Sequence, residues 1–400
     1  MNRSVLIFMV FALTFAHLAN DIFQTFFQAI YPQIKESLLL TFTQVGFITL
    51  TFQFTSSICQ PLVGLVTDRR SIPYLLPIGM FFTLVGVVMI SYADNFLFVL
   101  ISVGFIGVGS AVFHPEASRI VYLISGSRVG FFQSLFLVGG NIGGSLGPLL
   151  AALLASSYGH GRSIWLSIFV IFTIIILLFV CRWYSLNLER INSWRLLGDG
   201  SGGVNSGGGN GVVKLSSNVV MISLGVLMVL IFSKYVYLAC FRSFYTFYLI
   251  ERFGVSVREA QVYLFLFLFA AATGTLIGGP VGDWIGRKYV IWVSILGVFP
   301  FAVCLPFVDS LFWVCLLSVV VGLILSSAFS AILIYAQELA PGRVGMIAGL
   351  FFGLAFGIAG IASVILGNIA DKYGINFVFT ICSFLPLLGI TTFLLPNLKK

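Results

Sequence analysis

The sequence predicts an all-α membrane protein with twelve transmembrane helices in two parallel-repeat six-helix bundles. Three observations carry this prediction. Hydrophobic residues fill 59% of the 400 positions and charged residues only 8%, with a mean hydropathy of +1.09. A soluble domain needs about 25% charged residues to keep its surface wet, so this chain is solvated by lipid. Twelve runs stay apolar over the roughly 20 residues that a helix needs to cross a bilayer, six on each side of a polar break. The chain also repeats itself. Gly64, Val66 and Asp68 recur as Gly279, Val281 and Asp283, Arg128-Val129-Gly130 recurs as Arg343-Val344-Gly345, and Gly107 recurs as Gly322, every pair 215 residues apart. Matches at one spacing, without a gap, point to duplication. A halved membrane protein is the architecture of a transporter built around a central path.

In chain order the expected spans are 5–31, 42–66, 74–92, 96–121, 129–156 and 163–183, then 218–250, 257–282, 289–308, 311–337, 344–369 and 376–396. The first opens like a signal peptide, with Arg3 before an apolar run. That run outlasts such a segment, carries His17, Asn20 and Asp21, and has no A-x-A cleavage site, so it reads as a retained membrane helix. The organisation is then a first bundle over 1–184, a cytoplasmic Gly-rich linker over 185–217 and a second bundle over 218–400. Within the linker, Gly198 to Gly211 is nearly all Gly, Ser, Asn and Asp, which cannot bury enough surface to fold and behaves as a tether. Just before it Leu188, Ile191 and Trp194 recur every three residues beside Arg190 and Arg195. A short interfacial helix and a frayed end of the sixth span both fit that pattern.

With the N-terminus inside, fourteen Lys and Arg residues fall on the cytoplasmic side and five (Lys35, Arg162, Arg252, Arg258 and Lys372) on the outer side. That asymmetry follows the positive-inside rule and puts both termini in the cytoplasm. An even number of crossings per half makes the halves parallel repeats about an axis along the membrane normal.

Ionisable groups inside a bilayer are costly and by default functional. In the first span His17, Asp21, Gln24 and Gln28 step by 4, 3 and 4 residues, which aligns them on one helical face. Lipid would leave all four unsatisfied, so the stripe faces an aqueous cavity or, alternatively, a static polar helix contact. The seventh span carries Lys234 and Arg242, with Tyr237, Tyr245 and Tyr248 nearby at helical spacing. The repeat sets Lys234 at the level of Ala19, between His17 and Asp21, so Lys234 and Asp21 can pair across the path directly or through water. Snorkelling is the alternative for Lys234, against roughly 24 Å of helix to the nearer end, and a stronger one for Arg242.

The fourth span ends in His114-Pro115-Glu116-Ala117-Ser118-Arg119. Pro115 removes an amide hydrogen and bends the helix. Glu116 and Arg119 can pair on one face, as a structural ion pair or as part of a proton path, and His114 is a group that titrates near neutrality. The fifth span is rich in glycine from Gly139 to Pro148, which allows close helix approach and leaves Asn141 as a cavity-lining residue. On the inner face, Asp68 and Arg69, and Asp283 with Arg287 and Lys288, suit a latch that pairs when that side closes; fixing topology is the bland reading.

Other chemistries find no support. The sequence has no P-loop, HExxH, Gly-x-Ser-x-Gly or Cys/His metal spacing, so neither enzyme, cofactor nor metal is expected. The six cysteines are scattered and form no CxxC, which suits buried thiols. The net charge of +8 is spread over loops and is no nucleic-acid patch. Without a nucleotide site the energy comes from a gradient, and a titratable pair within the membrane favours protons.

The Gly-x-x-x-Asp loops, most complete at Gly279 to Lys288, resemble the signature of the major facilitator superfamily, and Gly143-x-x-x-Gly147-Pro148 is similar to the fifth-helix motif of its drug/proton antiporters. Val112 to Arg119, Phe232-Ser233-Lys234-Tyr235, Gly278 to Trp292 and Tyr335 to Met346 resemble the bacterial fosmidomycin-resistance exporters of that superfamily, and the likeness runs nearly end to end. It implies the major facilitator fold and efflux of a small phosphonate antibiotic from the bacterial cytoplasmic membrane in exchange for protons. Two departures matter: Val103 stands four residues before Gly107, where those antiporters commonly have arginine, and the glycine-rich tether is unlike a typical central loop. The expected protein is a monomer in the lipid bilayer whose partners are protons and a small anionic drug-like substrate. Proton coupling falls to Asp21, His17, His114 and Glu116, and substrate binding to Lys234, Arg242, Gln24, Gln28, Asn141, Tyr237 and Tyr245. The same residues would also serve a proton-coupled symporter that imports an organic anion.

Overall fold

The computed structural model describes residues 3–69, 71–125, 129–154, 164–189, 216–339 and 344–397. Arg128, Arg343 and the tether from Gly198 to Gly211 lie outside the described residues, as do Ile191, Trp194 and the side chains of Asp68, Arg69 and Asp283. All regular structure among the described residues is helical. The first part of the chain forms α1 (Arg3–Ala29), the short α2 (Tyr31–Ser37), α3 (Phe42–Arg69), α4 (Leu75–Ser91), α5 (Phe96–Ile124), α6 (Val129–Leu154) and α7 (Leu166–Leu186). The second forms α8 (Ser217–Phe253), α9 (Val257–Ile285), α10 (Arg287–Ile295), α11 (Phe299–Cys304), α12 (Leu311–Ser326), α13 (Ala328–Leu339), α14 (Val344–Tyr373) and α15 (Ile375–Cys382), followed by a 3-10 stretch over Leu385–Leu394.

Ten helical stretches among the described residues are long and apolar enough to cross a membrane. Of the twelve spans expected, α3 and α4 are not in this set. The α4 helix has only 17 residues, and α3 is diluted by Thr, Gln and Ser along its 28 residues. Interruptions have local causes. Expected span 289–308 divides at Leu296–Val298, where Gly297 is followed by Pro300, whose missing N–H cannot continue the helical ladder. Expected span 311–337 divides at Ser327, whose hydroxyl turns back to the Ile324 carbonyl at 2.7 Å. Start signals are equally physical: Asn95 caps α5 by accepting from the Phe98 amide at 2.9 Å, and Ser256 with Glu259 forms a capping box at α9.

Glycines set the closest packing. Along α6, a Cβ at Gly139, Gly143 or Gly147 would run into Thr14, Leu18 or Thr25 of α1, so this ladder exists to let the two helices touch backbone to backbone. A second seam joins α3 to α14 in antiparallel order: Gly367 lies against Phe42, Gly46 against Ser363 and Gly360 against Leu50. The 215-residue spacing returns in the coordinates. Helices begin at Phe42, Phe96 and Val129 and again at Val257, Leu311 and Val344. A Cβ at Gly107 would meet the Phe52 carbonyl oxygen at 3.0 Å, and one at Gly322 would meet that of Phe267 at 2.8 Å.

Candidate functional site

A cavity of about 540 Å³ is lined by α1, α3, α5 and α6 together with α8, α9, α12 and α14. Its α1 wall is the whole polar stripe: His17, Asp21, Gln24 and Gln28. The α5 wall adds Ser110 and His114, the α6 wall Asn141, and the α8 wall Lys234, Tyr235, Leu238 and Arg242. A periodicity of 3.6 residues is enough to explain the α1 side, because residues four, three and four apart share a face.

Asp21 is the hub of the first wall. Its Oδ1 accepts from Asn20 at 3.0 Å and Gln24 at 3.2 Å, and lies 3.1 Å from His114 Nε2; its Oδ2 lies 3.5 Å from His17 Nε2. Each histidine has its other nitrogen against a backbone carbonyl, His17 Nδ1 at 2.8 Å from Phe136 O and His114 Nδ1 at 2.9 Å from Ser110 O. A carbonyl can only accept, so in both rings Nδ1 carries the hydrogen. Each Nε2 then turns a lone pair toward the carboxylate; the His114 contact at 3.1 Å becomes a hydrogen bond when that ring takes a second proton, while the His17 contact at 3.5 Å is only a close approach. Gly140 makes room for the cluster, since a Cβ there would come within 2.8 Å of the Asp21 carboxylate. The three donor groups lie within 4.8 Å of one another, a spacing that a metal ion could also accept.

Three expectations do not match the structure. Asp21 pairs with the two histidines on its own side instead of with Lys234; the ammonium donates to the Ser326 carbonyl at 3.3 Å, although both residues line the one cavity. Glu116 is fully buried away from the cavity, where Arg119 reaches it at 3.2 Å while also donating to Tyr184 and Ser71. It belongs to a structural ion pair. Tyr237 and Tyr245 are buried in an aromatic core with Phe241, and the Tyr245 hydroxyl donates to Ser318 at 2.9 Å. For Tyr237 the reason is angular: about 60° of helix rotation separates it from Lys234 on one side, while Arg242 and Tyr235 lie about 80–100° to the other. At the basic loop, Arg287 pairs with Glu338 of α13 and Lys288 donates to the Leu395 carbonyl at 2.5 Å, just past the final 3-10 stretch. Asp68 and Asp283 fall in the last turns of α3 and α9.

Sequence reasoning missed Gln53, Ser56 and Gln60, which line the cavity from α3. They step by 3 and 4, so the rule that found the α1 stripe would have found these. It also missed a clasp at the end of α3. The Asp371 carboxylate, from the last turns of α14, accepts from the amides of Phe42 at 2.7 Å and Thr43 at 2.8 Å and from the Thr43 hydroxyl at 2.6 Å. A carboxylate at a helix N-terminus satisfies orphan amides and the helix dipole together. Beside it the Gln261 side chain donates to Ala29 O at 3.0 Å, and hydroxyls of Tyr31, Thr49, Ser243 and Ser363 form a chain across the seam. These contacts tie α1, α3, α8, α9 and α14 together at this end.

A helical membrane fold with a polar cavity between its two parts defines a transporter of small molecules. The chain belongs to the Major Facilitator Superfamily, whose family model matches residues 13–351 and 227–400, and it is a multi-pass membrane transporter rather than an enzyme. It is similar to the fosmidomycin resistance protein of Escherichia coli, 50% identical over 386 residues, covering 96% of this chain and 92% of that protein. It is also similar to an uncharacterized MFS-type transporter of Bacillus subtilis, 38% identical over 384 residues, covering 96% and 91%. Among solved structures, a bacterial homolog of the human lysosomal transporter Spinster superposes with a TM-score of 0.72 at 16% identity, over 99% of this chain and 95% of that one. The nucleoside transporter NupG gives a TM-score of 0.72 at 12% identity, over 96% and 98%. At such identities the likeness concerns the fold.

Proposed function

We propose that the protein exports small phosphonate antibiotics such as fosmidomycin in exchange for protons, as a monomer in the bacterial cytoplasmic membrane with both termini in the cytoplasm. The observation that carries this reading is a single cavity with two walls of opposite chemistry. One wall gathers Asp21, His17 and His114, a carboxylate between two rings that can each take a proton; the other presents Lys234 and Arg242, an ammonium and a guanidinium suited to an oxyanion. Half identity to a fosmidomycin resistance protein supplies the substrate class. The architecture we propose is twelve spans in two six-helix bundles, 1–184 and 218–400, tied by the linker at 185–217. Helix starts and glycine contacts that recur at the 215-residue offset support it. The cavity then opens to the cytoplasm, and the clasp at Asp371 closes the outer side. Gln24, Gln28 and Asn141 complete the substrate site. Asp68, Arg69, Asp283, Arg287 and Lys288 form the inner-face gate, although Arg287 and Lys288 already hold partners within their own half.

Proteoliposome flux tests the reading. A fosmidomycin gradient should drive proton movement in the opposite direction, Lys234→Ala should abolish binding, and Asp21→Asn should spare binding while removing the pH dependence of flux. Protons that move with the substrate would establish the symporter instead, and an Asp21→Asn variant with the wild-type pH profile would remove Asp21 from coupling.

A further inference from the structure

Three polar side chains meet where the cavity reaches Thr49 and Ser243 of the hydroxyl chain, with no protein partner. Gln28 on α1 and Gln53 on α3 are each only 6% exposed, and Arg242 faces them from α8. Among the described residues no hydrogen bond joins any of these side chains to another group, and the Arg242 Nε is fully buried and unsatisfied. Buried polar atoms in proteins are almost always paired, so the Arg242 Nε, beside two carboxamides that no protein group engages, calls for a ligand. A narrow recess of about 10 Å³ continues behind them, with room for little more than a water. All three also line the main cavity, so a bound group sits at the junction, not inside the recess.

We infer that this junction is a subsite for a tetrahedral phosphonate head, held by Arg242 together with Gln28 and Gln53. This rests on the reading of the protein as a phosphonate carrier and adds where, and by which groups, the head is recognised. The donor count decides the ligand class. Arg242 offers a fork of N–H groups, and each carboxamide offers two more together with one carbonyl acceptor. Three phosphonate oxygens accept those donors, and the P–OH of a monoprotonated phosphonate donates to a glutamine carbonyl. A sulfonate of the same shape and charge has no such hydrogen at neutral pH, so it leaves the carbonyls unpaired, which is how a polar site rejects an analogue. Because Gln28 and Gln53 precede the linker and Arg242 follows it, the head also bridges the two parts of the transporter, beside the hydroxyl chain from Tyr31 to Ser363.

The test is titration of the purified full chain in lipid nanodiscs with methylphosphonate and with methanesulfonate. Methylphosphonate should bind at least tenfold more tightly, and Gln53→Met, close to isosteric, should weaken it about ten- to hundredfold, the loss expected for hydrogen bonds to a charged group. Gln53→Glu should abolish binding. In the wild-type protein, which needs no variant to fold, magnetic-resonance dipolar coupling should connect phosphorus to a guanidinium nitrogen, and the coupling should vanish in Arg242→Lys. Equal binding of the two probes, or methylphosphonate affinity indifferent to Gln53, overturns the subsite. Absence of fosmidomycin flux in wild-type proteoliposomes would instead overturn the phosphonate-carrier reading.

Discussion

Replacing Asp371 by asparagine should open the end of the protein that the clasp shuts. The substitution keeps the shape and removes the charge. In the structure the carboxylate accepts three hydrogen bonds, at 2.7, 2.8 and 2.6 Å, two of them from the first amides of α3. A buried hydrogen bond to a charged group contributes about 1.5–3 kcal/mol, but Asp371 is exposed, and solvent screening reduces exposed pairs to about 1 kcal/mol or less. A carboxylate at a helix N-terminus contributes on the same scale, about 0.3–1 kcal/mol. A loss of about 1 kcal/mol changes a two-state ratio about fivefold, so the state open at this end should gain about that much population. Spin labels at Leu39 and Tyr373, both exposed near the clasp, would report it through their distance distribution after Cys304, an exposed thiol, is replaced by serine. Thr43→Val should give a smaller shift and little further change when combined with Asp371→Asn, because the two act through one contact. Identical distance distributions in wild type and Asp371→Asn would refute the clasp.

Three further outcomes are expected. Gly46→Ala and Gly367→Ala should each move the same distance distribution in the same direction, since the new Cβ meets the backbone of Ser363 or Phe42 and wedges the seam. Glu116→Gln should lower thermal stability by roughly 3 kcal/mol, the order of cost for leaving one partner of a buried ion pair, yet leave the pH profile of transport unaltered; a shifted pH profile would return Glu116 to the coupling machinery. Gly140→Ala should disturb the Asp21 cluster by pressing on the His17 ring and the carboxylate, flattening the pH dependence of flux while fosmidomycin binding survives, and a normal pH profile would show that the cluster tolerates displacement.

The spans were legible because bilayer crossing demands long apolar runs, and expected boundaries such as 42, 96, 129, 257, 311 and 344 coincide with the helix starts. The α1 face was legible because four polar side chains cannot share a lipid-facing stripe. Legibility failed where three dimensions choose among equals. Tyr237 and Lys234 are three residues apart and equally plausible as cavity groups; only the packing of α8 against Phe267 and Phe379 decides which face is wet. The Asp21–Lys234 pairing rested on equal depth, which says nothing of distance across the path, and nearer histidines took the carboxylate. No local pattern marks Asp371 as the partner of an amide 329 residues earlier.

The seam between α3 and α14 has one more consequence. Its closest contacts are glycine against main chain, and among the described residues no ionised side chain lies within it; Asp371 sits at its exposed rim. A charge that crosses the membrane field contributes about 2.3 kcal/mol per 100 mV, and parting this seam carries none across. Opening at this end is therefore electrically silent, and any response of turnover to membrane potential must arise from Asp21, Lys234 and Arg242 and from what they hold.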